Sequence, residues 1–200
     1  MKFSEREKQA RFKAVMVPHM DALFNYALFT TGDRDMASDL LQDTFLKAFR
    51  FFDKFESGTN AKAWLYRIMR NTYINEYRRI NRLPDHVVYD EQLSAHQMYK
   101  DFEAVNDGLR KKIDGEMFGD EVATAIASLP EKFKSVVILR DLEDLPYEEI
   151  AEVLDIPIGT VRSRLHRART LLFSSLKDYA RTRGFDVSDS LMPDDYALAS

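Results

Sequence analysis

"PYEEIAEVLDIPIGTVRSRLHRARTLL", residues 146–172, opens acidic and closes with arginines at 162, 164, 167 and 169. The chain that contains it has a formal net charge of −4, so this cationic stretch runs against the whole. Pro146 is tolerated in a first helical turn, where its missing N–H would be unbonded anyway, and Glu148 and Glu149 favour the positive end of that helix. Ile150, Ala151 and Leu154 share an inward face. Asp155, Ile156 and Pro157 form a tight turn, and a second helix starts by Thr160. There Val161, Leu165, Ala168 and Leu172 recur at i, i+4, i+7 and i+11, the spacing of a buried stripe. Arg162, Ser163, His166, Arg167 and Thr170 are left on the other side. Asp155 holds a turn position that suits glycine, and aspartate tolerates left-handed geometry better than most residues.

Two short helices, a brief turn and an arginine-bearing second helix make a helix-turn-helix. In that arrangement the second helix enters the major groove and its early residues reach base edges. Arginine reads guanine bidentately, at about 1–3 kcal/mol of discrimination per good pair. The anion this stretch meets is duplex DNA. A merely solvated basic face is the competing reading, and the turn together with both stripes weighs against it.

Charge lays out the rest of the chain. Residues 60–83 hold six Lys/Arg against one acid, residues 84–128 ten acids against four bases, residues 160–183 seven bases against one acid, and the last seventeen residues four Asp and no base. Two basic modules on an acidic tether follow from that pattern. In the first, a helix carries Met20, Leu23, Phe24, Ala27 and Leu28 and stops at Gly32, after which Asp33 caps the next helix. That helix runs from Asp35 to about Phe52. It buries Met36, Leu40, Phe45 or Thr44, and Ala48, and turns Asp39, Gln42, Asp43, Lys47 and Arg50 outward. After the loop DKFESGTN, a long helix begins near Ala61 with Trp64, Leu65, Ile68 and Thr72 as its core stripe. In the second module a helix runs from Asp120 to Leu129 and EKFKSVVILRDL forms the next. Between the modules, Met98, Phe102, Val105 and Leu109 have the spacing of a marginal amphipathic helix. The tether of about 36 residues reaches at most about 120 Å, more than one duplex turn of about 34–36 Å.

The chain reads as all-α: two small helical domains joined by a flexible linker, with boundaries at 1–83, 84–119, 120–183 and an acidic tail 184–200. No apolar run approaches the roughly 18 residues of a membrane span, and MKFSEREKQARFK is no secretory leader. Cysteine is absent, which excludes thiolate metal sites and thiol nucleophiles and suits a cytoplasmic location. The four histidines, 19, 86, 96 and 166, lack metal-ligand spacing, and no phosphate-cradling glycine loop or Ser/His/Asp signature occurs. The expectation is no metal, no cofactor, no membrane insertion and no enzymatic activity.

Three motifs, together and in order, resemble the extracytoplasmic-function (ECF) group of bacterial sigma factors in the sigma-70 family, over most of residues 15–180. DLLQDTFLKAF (39–49) resembles the polymerase-binding helix of region 2, NAKAWLYRIMRNTYINEYRR (60–79) its promoter-melting part, and LPEKFKSVVILRDLEDLPYEEIAEVLDIPIGTVRSRLHRAR (129–169) region 4. The resemblance implies that Asp39, Gln42, Asp43, Phe45 and Leu46 dock on the β′ coiled coil of core RNA polymerase, with Phe45 equally a core residue. It places Arg67, Arg70, Asn71, Asn75, Arg78 and Arg79 at the minus-ten element, with capping or intrahelical bonding the alternative for the two asparagines. Phe55, Ser57 and Asn60 match the loop that captures a base flipped from the melted non-template strand, a step that costs a few kcal/mol and is offset by stacking at about 1–3 kcal/mol per base. Thr160, Arg162, Ser163, His166 and Arg167 fall on the minus-thirty-five reader, with Arg164 and Arg169 assigned to phosphates, which position without specifying. Pro146 departs from the Ser or Thr cap common among relatives. The position of His166 varies among them, so its base preference is not implied.

The activity implied by the resemblance is that of an alternative sigma factor that binds the β′ and β subunits of core polymerase. Such a factor reads duplex promoter DNA upstream and melts it downstream, and it is held in check by an anti-sigma factor, often membrane-anchored in the family. A mimic that only sequesters an anti-sigma factor would not need Arg162, Arg167 or the Arg78–Arg79 pair. A one-domain activator would not need residues 39–79. The acidic tail 186–200 lies outside the pattern and is expected to be disordered and to weaken DNA binding by the free protein.

Overall fold

The computed structural model describes residues 4–80, 120–185 and 187, and the described residues are helical without strands. Backbone proximity divides the chain into two compact units, one built on the helices before residue 80 and one on those after 120, with residues 148–155 grouped with the first. The linker helix expected around Met98–Leu109, residues 81–83 and nearly all of the acidic tail lie outside the described residues.

The first unit begins with a helix that periodicity does not announce, α1 (Glu5–Met16). Its start is a capping box: the Ser4 hydroxyl accepts from the Glu7 N–H, and the Glu7 carboxylate accepts from the Ser4 N–H at 2.8 Å. Those Ser4 donors hold the Glu7 carboxyl below its usual range, the backbone N–H contributing most. A 3₁₀ turn (Val17–His19) leads into α2 (Met20–Thr31), which ends on Gly32 at φ +69°, a left-handed cap that favours glycine. The Asp33 carboxylate then accepts from the Met36 N–H at 2.8 Å and starts α3 (Arg34–Arg50).

The buried stripe of α3 is Ala37, Leu40, Thr44 and Ala48, at i, i+3, i+7 and i+11. Met36 lies one position off that stripe and is 52% exposed, contrary to the expectation that it is buried. Of Thr44 and Phe45 it is Thr44 that is fully buried, its hydroxyl donating to the Leu40 carbonyl at 2.7 Å. Phe45 is half-buried and meets the edge of Phe12 on α1, as do Phe49 and Phe52 at centroid distances of 5.2 and 5.3 Å. Phe12 is thus the peg that seats α1 on α3.

A 3₁₀ turn (Phe52–Lys54) and a loop precede α4 (Ala61–Ile80). Its core side is Leu65, Tyr66, Met69, Thr72 and Ile74, with Trp64 and Ile68 only half-buried where their spacing predicts core positions. The departure has a cause: Trp64 packs against Phe55 of the loop, at 5.3 Å between centroids, instead of under the bundle. Tyr66 takes the inner position, its ring 5.1 Å from that of Tyr26.

In the second unit, α5 (Asp120–Ala127) is followed by α6 (Glu131–Val137), which passes directly into a π-helical turn, Ile138–Leu142. There the Glu143 N–H reaches back five residues to the Ile138 carbonyl at 3.0 Å. Along the chain follow α7 (Tyr147–Leu154), which from Glu148 on is the segment grouped with the first unit and is buried on Ile150, Val153 and Leu154, and then α8 (Ile158–Thr182) of the second unit, buried on Val161, Leu165 and Ala168. Leu172, expected on that stripe, is half-buried. Gly184, at φ +82°, closes α8: its N–H donates to the Arg181 carbonyl and that of Phe185 to Ala180, the paired bonds of a Schellman end.

Between α7 and α8, Asp155 sits at φ +51°, the left-handed conformation its turn position demands. A β-branched residue there is a steric outlier. Asp155→Val should therefore destabilise the protein by about 1–3 kcal/mol, measured by thermal or denaturant unfolding. The Asn60 side-chain oxygen accepts from the N–H groups of Lys62 and Ala63 at 3.0 and 3.3 Å, capping α4. Asn60→Ala should cost about 1 kcal/mol in the same measurement.

Candidate nucleic-acid interface

On α8 the burial of Val161, Leu165 and Ala168 forces Arg162, Ser163, His166 and Arg167 to the outside, where all four are exposed. They occupy positions i, i+1, i+4 and i+5 of the first three turns, one continuous patch with two guanidinium groups, a hydroxyl and an imidazole. The Ser163 hydroxyl donates to the Thr160 carbonyl at 3.1 Å, which leaves its lone pairs outward. Thr160 and Arg164 are half-buried at the border of the patch. The donor and acceptor set suits base edges in a groove about as wide as a helix.

Arg169 is placed differently. Its Nε donates to Asp141 Oδ2 at 3.2 Å and its Nη2 to Asp141 Oδ1, a fork-to-fork pair with both side chains about one-third exposed. The hydrogen bond to Asp141 raises the guanidinium above its ordinary range, against a smaller opposing effect of burial. The structure therefore turns Arg169 toward the π-helical segment and away from the Arg162–Arg167 patch.

On α4, Arg67, Asn71 and Asn75 are exposed at i, i+4 and i+8, a single row opposite Leu65, Met69 and Thr72. Arg70 and Arg78 flank it half-buried. Arg79, at the end of the helix, is exposed and held by the Glu76 carboxylate through Nε at 3.1 Å and through Nη2; that bond is the main cause of its raised pKa. Its neighbours Asn71 and Asn75 stand in mid-helix and not at a helix end, so neither caps.

The three loop residues are each engaged locally. Phe55 lies in an aromatic column, stacked on Phe52 at 6.0 Å with 12° between planes and tilted against Trp64. The Ser57 hydroxyl accepts from Arg11 Nη2 at 2.8 Å, and Asn60 caps α4. Each thus has a structural duty. Sequence reasoning misses Arg11 because α1 has no periodic apolar face to announce it; the Ser4-x-x-Glu7 box is the available signal.

On α3, Asp39, Gln42, Asp43 and Leu46 are exposed at i, i+3, i+4 and i+7, forming one row that is acidic at its start and apolar at Leu46, which is 62% exposed. Phe45 faces Phe12 and stands off that row. No group of three or more His, Asp or Glu suited to a metal occurs among the described residues, and no described helix is long and apolar enough to cross a membrane.

Comparison with known proteins assigns these surfaces to two named regions. The family description "Sigma-70 region 2" matches residues 16–83, which contain the rows on α3 and α4, and "Sigma-70, region 4" matches residues 119–172, which contain the patch on α8. The chain is 32% identical over 179 residues to the ECF RNA polymerase sigma factor SigE of Mycolicibacterium smegmatis, covering 86% of this chain and 62% of that one. It is 36% identical over 152 residues to the ECF RNA polymerase sigma-E factor of Haemophilus influenzae, covering 72% and 76%. Among solved structures it is similar to the sigma factor RpoE of Bartonella quintana, crystallised with the anti-sigma factor NepR, with a TM-score of 0.64 and 30% identity over 84% of this chain and 97% of that one. With two regions matched in order and helices that present a face in each, the chain belongs to the ECF group of the sigma-70 family.

Proposed function

We propose that this chain is an alternative sigma factor that binds core RNA polymerase, directs it to a two-part promoter and opens the downstream part. The carrying observation is the pair of outward faces on helices of the two matched regions: Arg162, Ser163, His166 and Arg167 on α8, and Arg67, Asn71 and Asn75 on α4. The α8 patch carries the upstream duplex. Arg162 and Arg167 supply the bidentate donors, with Ser163 and His166 beside them, and Thr160 and Arg164 border the phosphates. The α4 row suits separated strands, where amides reach Watson–Crick edges and cations follow the backbone. Arg70, Arg78 and Arg79 belong to the same surface, and the loop of Phe55, Ser57 and Asn60 borders it as the base-capturing loop.

Core polymerase, through its β′ subunit, is the partner of the α3 row Asp39, Gln42, Asp43 and Leu46, with Phe45 bracing the row from behind. The β subunit is the partner of the second module. The RpoE relative was crystallised with an anti-sigma factor, which supports an anti-sigma partner for this chain. The chain performs no catalysis itself, and nucleotide chemistry belongs to the polymerase. A cytoplasmic site of action follows from that partner.

The test is transcription in vitro with purified core polymerase on a genomic promoter library; failure to initiate at any site would falsify the proposal. On the promoters found, Arg162→Ala should lose about 1–3 kcal/mol of discrimination at one upstream base pair and none elsewhere, read from a saturation library of that element. Asp39→Ala should weaken core binding severalfold in a competition assay with unchanged circular dichroism, since Asp39 is exposed and outside the core.

A further inference from the structure

Reading bases demands a fixed roll of α8, and its apolar contacts alone supply that poorly. Val161, Leu165 and Ala168 set the depth of the helix, but hydrophobic contact is non-directional. On a helix about 10–12 Å across, a roll of about 15° moves a surface group by roughly 1.5 Å, beyond the tolerance of a preorganised site. A directional constraint is present in the Asp141–Arg169 fork. Asp141 lies in the π-helical turn Ile138–Leu142, a geometry that recurs at functional sites. Its neighbour Arg140 secures the next segment. Its Nη1 donates to the Leu145 carbonyl at 3.0 Å and lies 3.3 Å from the Asp144 carboxylate, and its guanidinium covers the Tyr147 ring at 5.2 Å. Asp144 itself is left-handed, at φ +55°. Two consecutive π-helical residues thus fasten the entry to α7 and the shaft of α8.

We propose that Asp141 is a positioning residue for promoter recognition: by gripping Arg169 it fixes the roll of α8, so that Arg162, Ser163, His166 and Arg167 meet the bases in register, and Arg169 is a strut and not a phosphate contact. This rests on the reading that α8 recognises the upstream element. The two are separable because a strut and a phosphate ligand leave different signatures. A phosphate contact contributes about 0.9 to the slope of log affinity against log salt, whereas a strut changes discrimination between bases.

The experiment uses holoenzyme reconstituted from core polymerase and full-length chain, with promoter affinity measured across a salt series on the cognate upstream element and on singly substituted ones. Asp141→Ala and Arg169→Ala should each reduce the cognate-to-substituted ratio by about tenfold, the discrimination of one lost base contact, with the salt slope unchanged. The charge-swapped double variant, Asp141→Arg with Arg169→Asp, should recover most of that loss. If either single variant folds poorly by circular dichroism, Asp141→Asn, isosteric and neutral, carries the same expectation. A flatter slope for Arg169→Ala with the ratio intact would make Arg169 a phosphate contact and overturn the proposal. A double variant no better than the singles would also overturn it. If the wild-type holoenzyme itself shows no upstream preference, the recognition reading falls and the positioning role falls with it. If the wild type discriminates and the variants do so equally, the positioning role alone falls.

Discussion

The constraint on which the rest depends is that each functional helix must bury one narrow stripe. On α8 that stripe is Val161, Leu165 and Ala168, and once it is inside, the positions between are outside. Deleting buried methyl groups at such sites costs about 2–5 kcal/mol for a leucine, more than any surface charge returns. The side of α8 on which Arg162 and Arg167 stand is therefore chosen by apolar residues that touch no ligand, while the exact roll of the helix is not, since hydrophobic contact is non-directional. The same holds on α4, where Leu65, Met69 and Thr72 push Arg67, Asn71 and Asn75 outward, and on α3, where Ala37, Leu40, Thr44 and Ala48 expose Asp39, Gln42, Asp43 and Leu46. Three surfaces of different chemistry come from one packing rule.

Charge is then adjusted within each surface. Arg79, which stays exposed, is answered by Glu76, and Arg169 by Asp141, so part of the cationic charge counted in the sequence is met by acids of the chain itself. With a formal net charge of −4 over the whole chain, attraction to phosphate is weak and salt-sensitive. Such a balance favours hydrogen-bonded recognition over non-specific accumulation on DNA. It fits a protein whose contact with the promoter is made in the company of a polymerase that supplies further affinity.

Much of this is legible in the residues. The stripe of α3 declares itself by spacing except at Met36 and that of α8 except at Leu172, that of α4 only at Leu65 and Thr72, and the turn at Asp155 by the Asp-Ile-Pro sequence; its left-handed φ of +51° is a conformation that aspartate tolerates. Spacing fails where a neighbouring element decides burial. Trp64 has a core period but is drawn sideways by Phe55, and Tyr66 takes the inner place beside Tyr26. Helix α1 escapes a periodicity reading because its face is polar apart from a few residues and it is held by Phe12 against three other rings, contacts that no local pattern contains. The cap at Asn60 is readable, since asparagine immediately precedes the helix, but the family pattern draws attention to base capture instead.

What no spacing could disclose is the Asp141–Arg169 fork, whose partners are twenty-eight positions apart and meet only because α6 gains a π turn before α7 begins. An inserted residue of this kind changes the facing of every side chain after it while leaving the hydrophobic pattern of α6 intact. The arginine-rich motif on α8 looks uniform in sequence, yet packing divides it: 162 and 167 outward, 164 at the border, 169 turned back to an acid. A cation count overstates how many of them can reach DNA. The division arises because a bidentate guanidinium–carboxylate pair, sheltered to about two-thirds, holds its geometry better than an exposed cation held by screened attraction alone.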